Sequence, residues 1–511
     1  MTEREWREAT DLRPSRVGLV IVLLTAAVLR FWALGHGIPF APGVDEPEIV
    51  ERAVNAMRTG NFNPRFHDYP GFYIHAQTAV AVVRFLAGAI GGSWSSLDGA
   101  PVWAFYLWGR ALTATLGVAT VLIVFQAGLR WGARHALLAA GLLAVLPSHV
   151  RESHYVLTDV PLTFFVALTM LLSLRAHERG TLSAFLLAGA SAGLAAATKY
   201  NGALALMIPL IACLMSDQAK PSRLRCSLAL TGMAMVTCLL ASPYILLDLP
   251  GFLNGFARLA GEYRNKPAGG EATWSLYLKH LRLTMQTPAL LLAGGGLVLG
   301  LVRLVKGPGH VRWAIVTIFP VAFFAFLSRQ HIVFGRYLLP ILPALCLLAS
   351  CAVISGVSLL RRYEIPRAPR RLLIAGLTVA AVLPPGIVSV AFDRTIARKG
   401  TAALAYEWIR EHVPARSRIV IETRGLLLPG DYDAQNVVQL RRRPYEEYVG
   451  NKIDYLVASS QVYAPFFASP HLFPREYEEY MRIFGRAREV VRFTPSAEHP
   501  GPELRILKVS P

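Results

Sequence analysis

Two adjacent carboxylates, Asp45 and Glu46 in VDEPEIV, follow closely on the first long apolar run. Adjacent side chains point in different directions, so one can face a cavity while its neighbour binds backbone or a cation. A carboxylate at such a boundary can act as general base towards a hydroxyl. The same pattern suits a helix start, with Asp45 as cap, Pro47 in the first turn and Glu48 favoured by the dipole. The two readings are compatible. Next, PRFHDYPGFYIH gathers His67, Asp68, Tyr69 and His75. Two histidines and an aspartate leave a divalent metal open, but Pro70 and Gly71 separate the histidines at no recognised ligand spacing. A hydrogen-bonded loop is the plainer expectation.

Three further groups stand where apolar runs begin or end. RESHYVLTDVPLTFF places Glu152, His154, Tyr155 and Asp159 ahead of a span, with Pro161 fitted to a first helical turn. A carboxylate with a histidine at a cavity mouth is a common catalytic or substrate-orienting set. Capping by Thr158 or Asp159 is the structural alternative. TKYNG holds Lys199 and Tyr200 in a tight hairpin between short Ala/Gly-rich runs. Lys199 can snorkel to the surface or hold a lipid phosphate at headgroup depth. SRQHIVFGRYLLP adds Arg336 and Tyr337, and Arg30 closes the first run. Arg forks phosphate better than Lys. Lys199, Arg336 and Arg30 together would neutralise a phosphate or diphosphate leaving group.

The elements that position these residues are membrane spans. Of 511 residues, 54% are apolar and 17% charged. Soluble domains carry roughly 25% charge, so a single water-soluble domain and a disordered chain are excluded. Uncharged runs recur at about the length that crosses a hydrocarbon core. The net charge of +19 is then read as basic loops and not as a nucleic-acid surface. Arg130/Arg134, Arg175/Arg179, Lys220/Arg223/Arg225, Arg303/Lys306/Arg312 and RRYEIPRAPRR alternate with loops rich in acids, aromatics and histidine. The positive-inside rule makes the first set cytoplasmic and the second outward, with the N-terminus inside. Residues 74–90, which carry Arg84, disturb this parity and are read as a re-entrant or interfacial helix on the outer face, with a genuine span as the alternative. The predicted fold is a polytopic α-helical membrane protein of about 11–13 spans over residues 1–392, by hydropathy and length. Residues 393–511 read as a soluble, extracytoplasmic α/β domain. There ALAYEWIREHV and PREYEEYMRIFG have helical spacing, and RIVIE, DYLVAS, EVVRF and LRILKV read as strands. The five cysteines lie in or beside apolar runs and offer no disulfide framework.

Ionisable residues clustered at outward span ends suit an enzyme acting on a lipid-linked substrate. A transporter or flippase of a lipid-linked sugar, the rival reading, would place them near the midplane in two related halves.

The ordered set of motifs carries a family resemblance. A DE pair follows span one, then come D-Y-P-G, H-Y-x-x-T-D-x-P-L-x-F-F, T-K-Y-N-G and G-R-Y-L-L-P, and last A-x-x-W-I-x-x-x-V-P. This resembles the bacterial phospholipid-carrier-dependent glycosyltransferases related to protein O-mannosyltransferases and to the lipid A aminoarabinose transferase. The resemblance implies a GT-C membrane fold in the plasma membrane and transfer of a sugar from a polyprenyl-phosphate donor to a hydroxyl acceptor on the non-cytoplasmic face. It implies a catalytic base at Asp45, with Glu46 beside it. It matches the family's later-span aspartate to Asp159, and carries lipid-phosphate roles to Lys199 and Arg336. Where the family's second loop motif reads acid, Lys, Pro, Pro, this chain has Asp68, Tyr69, Pro70, Gly71.

Overall fold

The computed structural model describes residues 16–510 apart from 42, 44, 217–221, 266–270, 307–308, 360–365, 423–425 and 429–431. The segment before Arg16, Lys220 and residues 361–365 of the basic loop therefore lie outside the described residues. The chain divides into two compact units. One comprises Met1–Trp32, Glu48–Ala100 and Trp108–Val390; the other comprises Ala33–Pro47, Pro101–Leu107 and Ala391–Pro511.

The first unit is helical. Among the described residues eight helices are long and apolar enough to cross a membrane, and Ala133–Val145, Leu182–Thr198 and Tyr200–Leu214 are shorter apolar ones. Phe72–Ile90 is among the eight, and its Arg84 guanidinium lies 4.3 Å from the centre of the Trp94 ring. Several spans are cut where the sequence supplies a reason. Pro147 ends the run begun at Ala133 and opens a separate helix, Pro147–Glu152. The stretch Thr273–Lys306 is two helices broken at Gln286, whose φ is 59°, two residues before Pro288.

Small residues set how closely the helices approach. A Cβ at Gly189 would lie 2.4 Å from the Leu230 carbonyl oxygen, and one at Gly193 2.2 Å from that of Ala234. Glycine at both positions lets the helix Leu182–Thr198 lie directly on the backbone of Arg223–Ala241.

The second unit holds a five-stranded sheet: β1 (Arg418–Glu422), β2 (Asp433–Val437), β3 (Tyr455–Ser459), β4 (Arg488–Phe493) and β5 (Leu504–Lys508), in the order β2-β1-β3-β5-β4. β1 is parallel to β2 and β3, and β5 is antiparallel to β3 and β4. Successive residues of a strand face opposite sides. Ile419 and Ile421 pack with Ala405 and Ile409 of the helix Thr401–His412. Val420 packs with Tyr448, Tyr480 and Ile483 on the other face. Cover on both faces explains why RIVIE reads as an unbroken apolar run. The polar edge strand β2, mostly exposed, gives no such signal and escaped the sequence reading.

At the end of β1, Glu422 is fully buried. Its carboxylate accepts hydrogen bonds from the Leu440 N–H at 2.9 Å, the Ser459 N–H at 2.8 Å and the Tyr480 hydroxyl. Burial outweighs these donors and pushes its pKa up to about 7. A carboxyl whose folded-state pKa is raised stabilises the fold fully below its ordinary range and loses that contribution as pH rises through about 7. The loss is on the order of 3 kcal/mol. Hydrogen exchange followed by mass spectrometry on the full chain should therefore show weaker protection of Leu440 and Ser459 at pH 8 than at pH 5. Glu422→Gln should flatten that difference; an unchanged pH dependence in the variant would refute the assignment.

Candidate functional site

The helix Asp159–Arg179 begins with its own acidic residue in the first turn, where the unpaired N–H groups favour negative charge. Asp159 is nonetheless buried, and it is matched by two cations. Lys199 Nζ donates to Oδ1 at 2.7 Å, and Arg336 Nε lies 3.5 Å from Oδ2. Lys199 arrives from the turn between the helix ending at Thr198 and a 3-10 helix, Tyr200–Leu206. That turn is closed by the Gly202 N–H donating to the Lys199 carbonyl at 2.8 Å. A Cβ on Gly202 would lie 2.1 Å from the Ala195 carbonyl oxygen, so the turn needs glycine there. Arg336 comes from a second 3-10 helix, Gly335–Ile341.

Aromatic rings complete the shell. The Lys199 ammonium lies 4.2 Å from the centre of the Tyr337 ring and 5.6 Å from that of Tyr69. Arg336 stacks on Phe334 at 4.5 Å. The Tyr337 and Tyr263 hydroxyls are 2.7 Å apart. Burial lowers the pKa of Lys199, opposed by the Asp159 carboxylate beside it. Burial raises that of Glu152, against the pull of Arg151, whose Nε donates to Oε1 at 2.8 Å. Asp159, Lys199, Arg336, Tyr69 and Tyr337 thus come together as one basic, aromatic-walled group. A group of this composition can bind an anion.

Other expected residues take different places. Arg30 is wholly buried, and its Nη1 and Nη2 donate to the carbonyls of Ala26, Leu143 and Ala144, with Nη2 also 2.9 Å from His149 Nδ1. Leu143 and Ala144 end the helix Ala133–Val145, whose last carbonyls need donors. Arg30 therefore braces a helix end. Both ring nitrogens of His154 face backbone carbonyls, Nδ1 that of Val150 at 2.9 Å and Nε2 that of Trp32 at 3.0 Å. Asp68 pairs with Arg258, and the Tyr200 hydroxyl donates to the His67 carbonyl at 2.9 Å. Asn63 reaches Asp248 at 2.9 Å, so the first loop is stitched to the segment that follows the span Arg223–Ala241. Among the described residues no group of three or more His, Cys, Asp or Glu side chains could hold a metal ion.

Arg258 and Tyr263, which contact this loop and the cation group, were not legible as site residues. They lie on the amphipathic helix Leu249–Asn265, in the connection after the helix Arg223–Ala241, which read as holding no element. Its apolar spacing was the signal available.

Asp45 and Glu46 belong with the second unit. The helix starts at Pro47, so the residue ahead of it is Glu46 and not Asp45. Glu46 is buried, and its Oε2 accepts from the Gly43 N–H at 2.6 Å. Asp45 is half-buried. Their loop is anchored within that unit. The Phe40 ring lies 4.2 Å from Tyr406, and the Leu427 N–H donates to the Phe40 carbonyl at 2.5 Å.

Residues 81–257 match the family described as dolichyl-phosphate-mannose-protein mannosyltransferase. No curated protein sequence matches the chain. Among solved structures, ArnT from Cupriavidus metallidurans in the apo state superposes with a TM-score of 0.56 at 14% identity, over 97% of this chain and 99% of that one. The same protein bound to undecaprenyl phosphate gives 0.55 at 15%, over 97% and 100%. The Archaeoglobus fulgidus oligosaccharyltransferase gives 0.57 at 14%, over 88% and 70%. The chain therefore shares the fold of ArnT and of the Archaeoglobus fulgidus oligosaccharyltransferase, and within it residues 81–257 match the dolichyl-phosphate-mannose-protein mannosyltransferase family.

Proposed function

We propose that this protein transfers a sugar from a polyprenyl-phosphate donor to a hydroxyl acceptor on the non-cytoplasmic side of the plasma membrane. The observation that carries the reading is the buried Asp159–Lys199–Arg336 group at the ends of apolar helices. Its support is the fold shared with a protein solved in complex with undecaprenyl phosphate.

In the proposed reaction the acceptor oxygen attacks the anomeric carbon. The bond from that carbon to the donor phosphate oxygen breaks, and its electron pair leaves with the phosphate. Lys199 and Arg336 hold the phosphate as its charge grows. The Lys199 ammonium has three N–H donors, of which Asp159 takes one. Asp45 takes the acceptor proton, a role that rests on its place in the first loop and on the family resemblance. Single displacement inverts the anomeric centre. Electrostatic stabilisation of the leaving group and alignment of the two substrates supply most of the rate.

Release of polyprenyl phosphate from a radiolabelled donor, measured on the protein in nanodiscs, tests this. Asp45→Asn should slow release by about 10²- to 10⁴-fold while donor binding persists; wild-type rates in the variant would remove Asp45 from the mechanism. Arg336→Ala should weaken donor binding about 10- to 100-fold, the loss of one charge-assisted hydrogen bond. Unchanged binding would take Arg336 out of the phosphate site. Asp159→Asn leaves the Lys199 charge buried with its main partner gone, and should destabilise the membrane unit by about 3–5 kcal/mol. A thermal melt in detergent reads this, and an unshifted midpoint would show that the pair carries no stability.

A further inference from the structure

A cleft of about 570 Å³ opens in the membrane unit, away from the residues discussed above. Its walls are three helices: Ala133–Val145, Leu342–Leu359 and Arg367–Ile396. Leu138, Ile354, Ile374, Val382 and Leu383 give it an apolar lining, and Arg134 stands at one end. His135 Nε2, 3.2 Å from Ser355 Oγ, ties two of the walls together beside Arg134.

Three observations define what fits there. First, the lining on the third helix runs from Ile374 to Leu383, a rise of about 14 Å. That is about half the ~30 Å thickness of a hydrocarbon core, the depth of one leaflet. Second, the charged end lies beside the basic starts of two of the three helices. Arg134 opens the first and follows Arg130, and Arg367 and Arg371 open the third ahead of Ile374. Third, among the described residues Arg134 has no carboxylate partner, whereas nearby Arg130 is paired with Glu178 at 3.1 Å. An apolar slot one leaflet deep, closed by a guanidinium with no carboxylate partner among the described residues, is complementary to a lipid with an anionic headgroup. Basic pockets between spans on the cytoplasmic side recognise such lipids.

We infer that this cleft is a binding site for an anionic phospholipid of the leaflet facing the basic loops. One acyl chain occupies the slot and the headgroup phosphate pairs with Arg134. The site is separate from the proposed donor site and does not depend on that reading.

Native mass spectrometry of the full chain tests it, with phosphatidylglycerol and phosphatidylcholine of equal chain length offered in competition. Wild type should retain phosphatidylglycerol over phosphatidylcholine by about fivefold, the effect of one surface guanidinium of about 1 kcal/mol. Arg134→Gln should abolish the preference and Arg134→Lys should keep most of it. Thr378→Phe, which narrows the slot, should lower retention of both lipids. Equal retention of the two lipids by wild type, or a preference that survives Arg134→Gln, would overturn the assignment. Full retention in Thr378→Phe would show that the bound lipid sits elsewhere.

Discussion

A carboxylate removed from water must be matched by positive charge and by hydrogen bonds, or it costs several kcal/mol. Asp159 imposes that constraint on the membrane unit. Its helix N-terminus contributes a favourable dipole, Lys199 a direct bond and Arg336 a second charge. Three segments far apart in the chain therefore converge on one carboxylate. Each arrives through a break in regular structure: a helix start, a glycine-closed turn and a 3-10 helix. Breaks of this kind are tolerated at membrane depth only where protein or a cavity surrounds them.

The same accounting explains the polar residues that lie apart from the cation group. A helix that ends inside the protein leaves carbonyls without donors. Arg30 supplies them at the end of Ala133–Val145, and His154 has one ring nitrogen near the Val150 carbonyl and the other near that of Trp32. These side chains have the types expected of a phosphate site, yet both Arg30 Nη atoms reach backbone carbonyls. Tyr69, Tyr337 and Phe334 instead give Lys199 and Arg336 aromatic faces. Such faces hold a cation in place without neutralising it. The group thus keeps a net positive charge while Asp159 fixes its geometry.

The acidic loop is built by another principle. Glu46 is turned inward to the Gly43 N–H, which leaves Asp45 as the more exposed of the two carboxylates. Phe40 holds the loop to Tyr406 of the helix Thr401–His412. The C-terminal sheet domain therefore does more than follow the spans: it is part of the compact unit that carries the acidic pair.

Local signals in the chain mark the apolar spans, the basic connections, and two helices and most strands of the terminal domain, while the helices Tyr445–Gly450 and Ser460–Ala468 went unread. The marked elements follow from periodicity and from the exclusion of charge from hydrocarbon, which are local properties. The sequence also marked Asp159, Lys199 and Arg336, because ionisable residues at span ends are few. Their convergence on one carboxylate was decided only by the tertiary structure, as was the diversion of Arg30 to a helix end. So were Arg258 and Tyr263, carried in by a helix that read as loop. The physical reason is that residue type states what a side chain can bind, whereas packing decides which acceptor reaches it first. A guanidinium fits a phosphate and a buried carbonyl equally well by type, and for Arg30 the carbonyls of Leu143 and Ala144 are the ones the fold brings within reach.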